Sequence, residues 1–392
     1  MNSDIMQGIR AKLLDGDRLS LCSDCHHQDD HNKVSGRRRQ LLKSAIDLKE
    51  FDKTFCSSPH WDIFAHSYSN GGHTDNMPVD LQIDLGNTCN SACIMCIPTY
   101  SSKLANEYKT LIKLEPTIFK EFAPFKNWAD DYKLVDKFIN ELSLIPNIKY
   151  IHFLGGETLY LKSFYDICNR LIDAGLAKDI SIGTTTNCTV HTANLEHIIR
   201  NFKQVHLGLS VEAMHPINNY IRWPSDINIV KSNIDQFLDL REQTNLHLSL
   251  RITPNIFSVF HLDTIFELMI TKKITAESCN ILTNPECLRI ELLPNELITK
   301  CLDKINQIIQ KYRLTQSDHV VVNQRREDLV DPVIVQVIFE YKTFLENCIA
   351  PSDIKEQRYN LVKYIRAFEQ VHKNNILDYL PEYEEFLRSY GY

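Results

Sequence analysis

The chain has 392 residues, 43% of them hydrophobic and 24% charged, with a formal net charge of -7. That is ordinary globular composition, long enough for one large domain with appendages, and its negative balance argues against nucleic acid as a partner. No apolar run is long enough to span a bilayer and no signal-peptide core opens the chain, so the expectation is no membrane, a reducing cytoplasm, and clustered cysteines that serve as metal ligands.

In chain order, residues 5–14 have the spacing of a short amphipathic helix that stops near Gly16. Cys22 and Cys25 follow as a C-x2-C pair, with His26, His27 and His31 close behind. Such a pair is half a metal site. Three readings stay open: a second iron–sulfur cluster with partners elsewhere, zinc with a nearby histidine or with Cys56 and His60, or a reduced loop without metal. The Arg37-Arg38-Arg39 run reads as a solvated face rather than a grip on an anionic substrate. Residues 67–78, rich in Gly, Ser and Asn, read as a linker.

Residues 81–85 alternate apolar and polar side chains as a half-buried strand does, and Gly86-Asn87 ends them. Then come Cys89, Cys93 and Cys96, a C-x3-C-x2-C loop. Cysteine thiolates are the usual ligands of iron–sulfur clusters, and three of them leave a fourth iron open. The alternatives are zinc, which favours two separated ligand pairs, or three buried free thiols.

Residues 101–114 have helical spacing, and 115–145, with Pro116, Pro124 and Trp128, read as an insertion that caps the mouth of the site. A second strand at 150–154 ends in Gly155-Gly156-Glu157, where two glycines let backbone approach a ligand and Glu157 offers an acceptor. A helix at 161–174 leads to a third strand at 179–185, ended by Thr186-Asn187-Cys188. The fourth strand, 204–210, ends in Ser210-Val211-Glu212. Tyr220-Ile221-Arg222-Trp223-Pro224 precedes a helix at 227–240, and Arg222 has the fork to hold a carboxylate or a surface ion pair. A fifth strand at 246–252, a helix at 262–272 and a sixth strand at 288–293 complete the pattern. Helices at 296–312, 333–346 and 353–372 form the tail.

Six strand–helix units in sequence argue for parallel strands joined by crossover helices, too few for a closed eight-stranded barrel. Every motif singled out in this region stands at or just beyond a strand's C-terminal end, where such sheets bind ligands.

The cysteine loop, with Asn90 after its first cysteine and Met95 before its third, resembles the signature of the radical S-adenosylmethionine (SAM) superfamily. Gly155-Gly156-Glu157 resembles that family's GGE motif. The resemblance implies an α/β fold, a partial (β/α)6 TIM-like barrel with parallel strands. It implies an N-terminal cysteine-containing extension (1–78), a core (79–294) and a helical C-terminal region (295–392). It implies that Cys89, Cys93 and Cys96 ligate three irons of a [4Fe-4S] cluster and that SAM chelates the fourth. A one-electron reductant of flavodoxin or ferredoxin type would then drive SAM cleavage to a 5'-deoxyadenosyl radical, which takes a hydrogen atom from substrate.

By the same resemblance Gly155, Gly156 and Glu157 receive the SAM amino group, and Thr186 and Asn187 stand near its ribose. Ser210 and Glu212 are candidates for ribose or carboxylate contacts, and Arg222 resembles a family arginine. Cys188 replaces a frequent glycine. It reads as a hydrogen-atom donor facing the site or as a buried small hydrophobe. Cys22 and Cys25 followed by Ser35-Gly36-Arg37 resemble the N-terminal extension of twitch-domain-containing radical SAM proteins, although the tail lacks a tight cysteine cluster. The substrate expected is a peptide or protein, with a small metabolite (sugar or amino acid) as the alternative. The rivals are a non-catalytic metal-binding interaction protein and a SAM-binding scaffold without chemistry.

Overall fold

The computed structural model describes residues 2–23, 26, 30, 66–75, 78–123, 127–145, 148–276, 280–315 and 330–392. The expectations placed on Cys25, His27, His31, Ser35 to Arg39, Cys56, His60 and Pro124 lie outside the described residues. The chain divides into two compact units, Met1–Val79 and Asp80–Tyr392.

In the first unit, helix α1 (Asp4–Leu14) starts at Ser3, whose hydroxyl accepts the Met6 N–H at 3.4 Å. Capping of this kind satisfies a donor that the helix leaves unpaired. Arg10 Nε ties the helix to the 66–75 loop by donating to the Gly72 carbonyl at 2.6 Å. Cys22 ends a single 3-10 turn, Ser20–Cys22, and is half-buried.

The second unit is built on a six-stranded, all-parallel sheet in the order β1 to β6. The strands are β1 (Asp80–Asp84), β2 (Tyr150–Leu154), β3 (Ser181–Thr186), β4 (Gln204–Leu209), β5 (Leu246–Leu250) and β6 (Thr275–Ala276). β1 and β6 are edges, so the sheet is an open, partial barrel. Ile151, Phe153, Ile182, Val205, Leu207, Leu248 and Leu250 are buried on the face that the helices cover. On the opposite face Gln82, His152, Gly183, His206 and His247 stand in one register row across five strands.

Two helices, α2 (Ser102–Leu114) and α3 (Tyr132–Ser143), connect β1 to β2. The crossovers continue with α4 (Lys162–Asp173), α5 (Ala193–Asn201), the short α6 (Ile217–Ile221), α7 (Ile227–Arg241) and α8 (Leu262–Lys272). Each start has a local cause where a side chain caps it: Ser101 for α2, Asp131 for α3, Thr192 for α5 and Asp226 for α7. The 115–145 stretch corrects the expected lid. Its α3 is a second crossover helix that buries Val135, Ile139 and Leu142.

The sixth strand is also corrected. It is Thr275–Ala276, paired to β5 through Ser249 and Leu250, not residues 288–293. That stretch forms two successive 3-10 turns, Glu286–Leu288 and Ile290–Leu292. Leu288, Ile290 and Leu292 alternate as a strand would, but adjacent Leu293 is buried with them. Turns can bring two neighbouring side chains inward, whereas a strand sends them to opposite faces.

The tail consists of α9 (Asn295–Lys311), α10 (Pro332–Glu346), α11 (Ile354–His372) and α12 (Glu384–Arg388). It belongs to the same compact unit as the sheet. Helix α11 buries Leu361, Val362, Tyr364, Ile365 and Phe368. Among the described residues no helix is long and apolar enough to cross a membrane.

Candidate active site

The loops that leave the C-terminal ends of the strands enclose a cavity of about 220 Å³. Cys89, Cys93 and Cys96 line it, together with Gly156, Glu157, Thr186, Asn187, Ser210 and Arg222. Residues far apart in sequence thus meet because parallel strands deliver all their exits to one end of the sheet.

The cysteine loop is fixed from several sides. The Ser101 hydroxyl donates to the Ser91 carbonyl at 2.6 Å while accepting the Leu104 N–H at 3.1 Å. Ser102 Oγ accepts the Cys89 N–H at 3.1 Å. The Ala92 and Ile94 N–H groups donate to the Trp223 and Ile221 carbonyls at 2.7 and 2.9 Å. Tyr364, from α11, donates its hydroxyl to the Ile94 carbonyl. Asn187 Nδ2 reaches Asn90 Oδ1 and Ser91 Oγ at 2.8 and 3.0 Å, so the end of β3 also grips the loop.

The Gly155-Gly156-Glu157 turn packs backbone to backbone against the exit of β1. Gly156 N–H donates to the Gly86 carbonyl at 2.9 Å and Glu157 N–H to the Thr88 carbonyl at 3.0 Å. A Cβ on Gly156 would lie 2.5 Å from the Asn87 carbonyl oxygen. This glycine therefore makes room for protein as well as lining the cavity. The Glu157 carboxylate accepts the Leu159 and Asn187 N–H groups at 3.2 and 2.6 Å. Burial pushes its pKa up from 4.5 to about 7, opposed by those hydrogen bonds.

Glu212 and Cys188 stand behind the cavity wall rather than lining it. Glu212 Oε1 accepts from Arg222 Nη2 at 2.6 Å, and its Oε2 accepts the Thr253 N–H at 3.0 Å. Burial raises its pKa and the Arg222 charge pulls it back. Cys188 is fully buried at φ +62°, the left-handed region. Its thiol points to the Thr186 carbonyl at 3.7 Å, and its own carbonyl accepts from Asn233 at 2.8 Å. Cys287 and Cys301 are buried elsewhere in the unit.

Sequence reasoning missed the supports. Ser101 carried a readable signal, since a serine before a helical run is a cap, but its second bond to Ser91 has no local trace. Asn127 and Trp128 hold the exit of β1: Asn127 Oδ1 accepts the Asn87 N–H at 2.8 Å and Trp128 Nε1 donates to the Asp84 carbonyl at 2.6 Å. Among the described residues, none of the 115–145 stretch lines the cavity.

Residues 83–248 match the family model described as the radical SAM superfamily. This segment is a radical SAM domain. No curated protein matches the chain. Among solved structures, Streptococcus suis SuiB bound to S-adenosylmethionine is 12% identical, covering 79% of this chain and 64% of that one, with a TM-score of 0.39. Native anSMEcpe with bound AdoMet is 16% identical, covering 60% and 62%, with a TM-score of 0.40. SuiB bound to its precursor peptide SuiA is 12% identical, covering 74% and 60%, with a TM-score of 0.39. The chain spans less than two-thirds of the length of each of these three.

The cofactors of radical SAM domains are a [4Fe-4S] cluster and SAM, and the residues of the cavity fit the cluster. Burial pushes the thiol pKa of Cys89 and Cys93 to about 12 and of Cys96 to about 11. Thiols there ionise only with a cation in place, which irons supply. Donors already face two sulfurs: the Ser91 N–H lies 3.4 Å from Cys89 Sγ, and Arg222 Nη1 lies 4.0 Å from Cys93 Sγ. Among the described residues no group of three or more His, Cys, Asp or Glu is placed to hold a single metal ion. A cube differs, since it spreads its thiolates over separate irons.

Proposed function

We propose that this chain is a radical SAM enzyme that cleaves SAM reductively and removes a hydrogen atom from a peptide or protein substrate. The convergence of Cys89, Cys93, Cys96, Glu157, Asn187 and Arg222 on one cavity at the C-terminal ends of parallel strands carries this reading. When bound, the cluster supplies a single electron and an open iron to SAM. The chain's own residues do the rest. Gly156 and Glu157 offer a buried acceptor edge to the SAM amino group, and Asn187 and Ser210 line the side assigned to its ribose. The buried walls exclude water. An external one-electron reductant of flavodoxin or ferredoxin type completes the reaction. The cysteine-bearing N-terminal extension supports the peptide or protein reading of the substrate, and Cys22 with Cys25 is proposed as part of a second centre, iron–sulfur or zinc.

Anaerobic reconstitution with iron and sulfide tests the reading. About four irons per cluster are expected, and dithionite with SAM is expected to yield 5'-deoxyadenosine. The Cys89→Ala/Cys93→Ala/Cys96→Ala protein is expected to yield none. Zinc without iron would replace the enzyme with a metal-binding interaction protein. A cluster that never cleaves SAM would leave a binding scaffold. Metal content unchanged in Cys22→Ala/Cys25→Ala would remove the second centre.

A further inference from the structure

Arg222 is held in a way that a simple cavity wall does not require. Nη2 donates to Glu212 at 2.6 Å and Nη1 faces the Cys93 sulfur at 4.0 Å. The Glu212 side chain is fully buried, and its second oxygen is occupied by the Thr253 N–H at 3.0 Å. Both partners rest on one residue. Asn218 Oδ1 accepts the Glu212 N–H at 3.0 Å, and the Asn218 carbonyl accepts the Arg222 N–H at 2.9 Å. Among the described residues, Arg222 Nε has no hydrogen-bond partner. The guanidinium is therefore anchored from behind by a carboxylate and aimed forward at one of the three cluster-ligating sulfurs.

We propose that the Glu212–Arg222 pair is a positioning device for the cluster, in which Arg222 Nη1–H donates to the Cys93 thiolate and raises the cluster's reduction potential. The inference rests on the radical SAM reading. It gives Arg222 a role on the cluster itself, separate from any grip on SAM. Reduction adds an electron to the cluster, and a donor at the sulfur stabilises that added charge, so hydrogen bonds and nearby charge set the potential. Glu212 holds the fork in one orientation, and a planar guanidinium suits this better than an ammonium because its donors are fixed in direction.

The test is an EPR-monitored redox titration of the reconstituted full-length protein without SAM. Arg222→Gln is expected to shift the midpoint potential to more negative values than wild type. Arg222→Lys keeps the charge and loses the fork, and is expected to fall between them. Should Arg222→Gln fail to load a cluster, Arg222→Lys carries the comparison. Potentials equal to wild type in the variants, with SAM affinity lowered, would overturn the inference and assign Arg222 to SAM alone. A wild-type protein that takes up no cluster would instead sink the radical SAM reading beneath it.

Discussion

Cys188 occupies backbone space that suits glycine. Its φ of +62° lies in the left-handed region, where a Cβ costs roughly 1–2 kcal/mol. The cost is tolerated because the neighbours hold the turn: the Cys188 N–H donates to Thr186 Oγ1 at 3.1 Å, and Asn233 binds its carbonyl. A paired comparison isolates the strain. Cys188→Gly and Cys188→Ala both lose the thiol, yet only alanine keeps a Cβ. The glycine variant is expected to be the more stable by about 1 kcal/mol in chemical denaturation, the reverse of the usual order inside a helix. Equal midpoints would mean that the turn carries no strain. Glu157 makes a different statement at this scale. Its folded pKa, about 7, stands above the ordinary 4.5 because it is buried. The folded state therefore holds a proton that the unfolded state has released between those values. Its contribution to stability is full below about pH 4.5 and is lost as pH rises through about 7. In the cluster-free protein, wild type is expected to lose stability across this window relative to Glu157→Gln. A flat difference between the two would show that the carboxyl ionises normally.

Elements, rather than residues, decide how the exits of β1 and β2 fit together. The Gly86–Thr88 and Gly155–Glu157 segments run side by side, with Asn127 and Trp128 bracing the first. Gly156→Ala would bring a Cβ within 2.6 Å of the Thr88 carbonyl oxygen, and overpacking against backbone costs about 1–3 kcal/mol. A fall in unfolding midpoint of that size, with weaker iron retention by the 89–96 loop, is the expected result. Unchanged iron retention would detach this turn from the cluster loop. Five of the six strands and most of the longer helices were legible in the chain because period-two and period-3.6 patterns are local, whereas α3 and α5 were not anticipated. β2 coincides with its expected bounds, 150–154, β4 and β5 start where expected and end one and two residues early, and β1 and β3 shift by one or two residues at both ends. β6 was not legible, because two residues leave no periodicity to read and the 288–293 alternation imitates one. At the site, the cysteine spacing and the Gly-Gly-Glu turn announced themselves. Asn127, Trp128 and Tyr364 did not, since a side chain that braces a distant backbone carbonyl leaves no pattern around itself.

At the scale of the whole molecule, the open sheet needs help to hold its most important loop. One face carries a register row of Gln82, His152, Gly183, His206 and His247, and the 89–96 loop follows β1, an edge strand. The tail supplies the support. Tyr364, buried on α11, donates to the carbonyl of Ile94, the residue after Cys93. Its ring lies 5.0 Å from both Phe119 and Phe368. Trp223, which accepts the Ala92 N–H, stacks on His372 at the end of the same helix. Residues 270 positions apart thus fix one loop, and the C-terminal helices brace the 89–96 loop without lining the cavity. Tyr364→Phe keeps the ring packing and removes only the hydroxyl. It leaves a buried carbonyl without its donor, a loss of about 1–3 kcal/mol. The expected outcome is a lower denaturation midpoint with the helical signal intact, and faster loss of iron to a chelator than in wild type. A variant that matches wild type in both measurements would show that the loop holds its shape without α11, and that the tail contributes bulk stability alone.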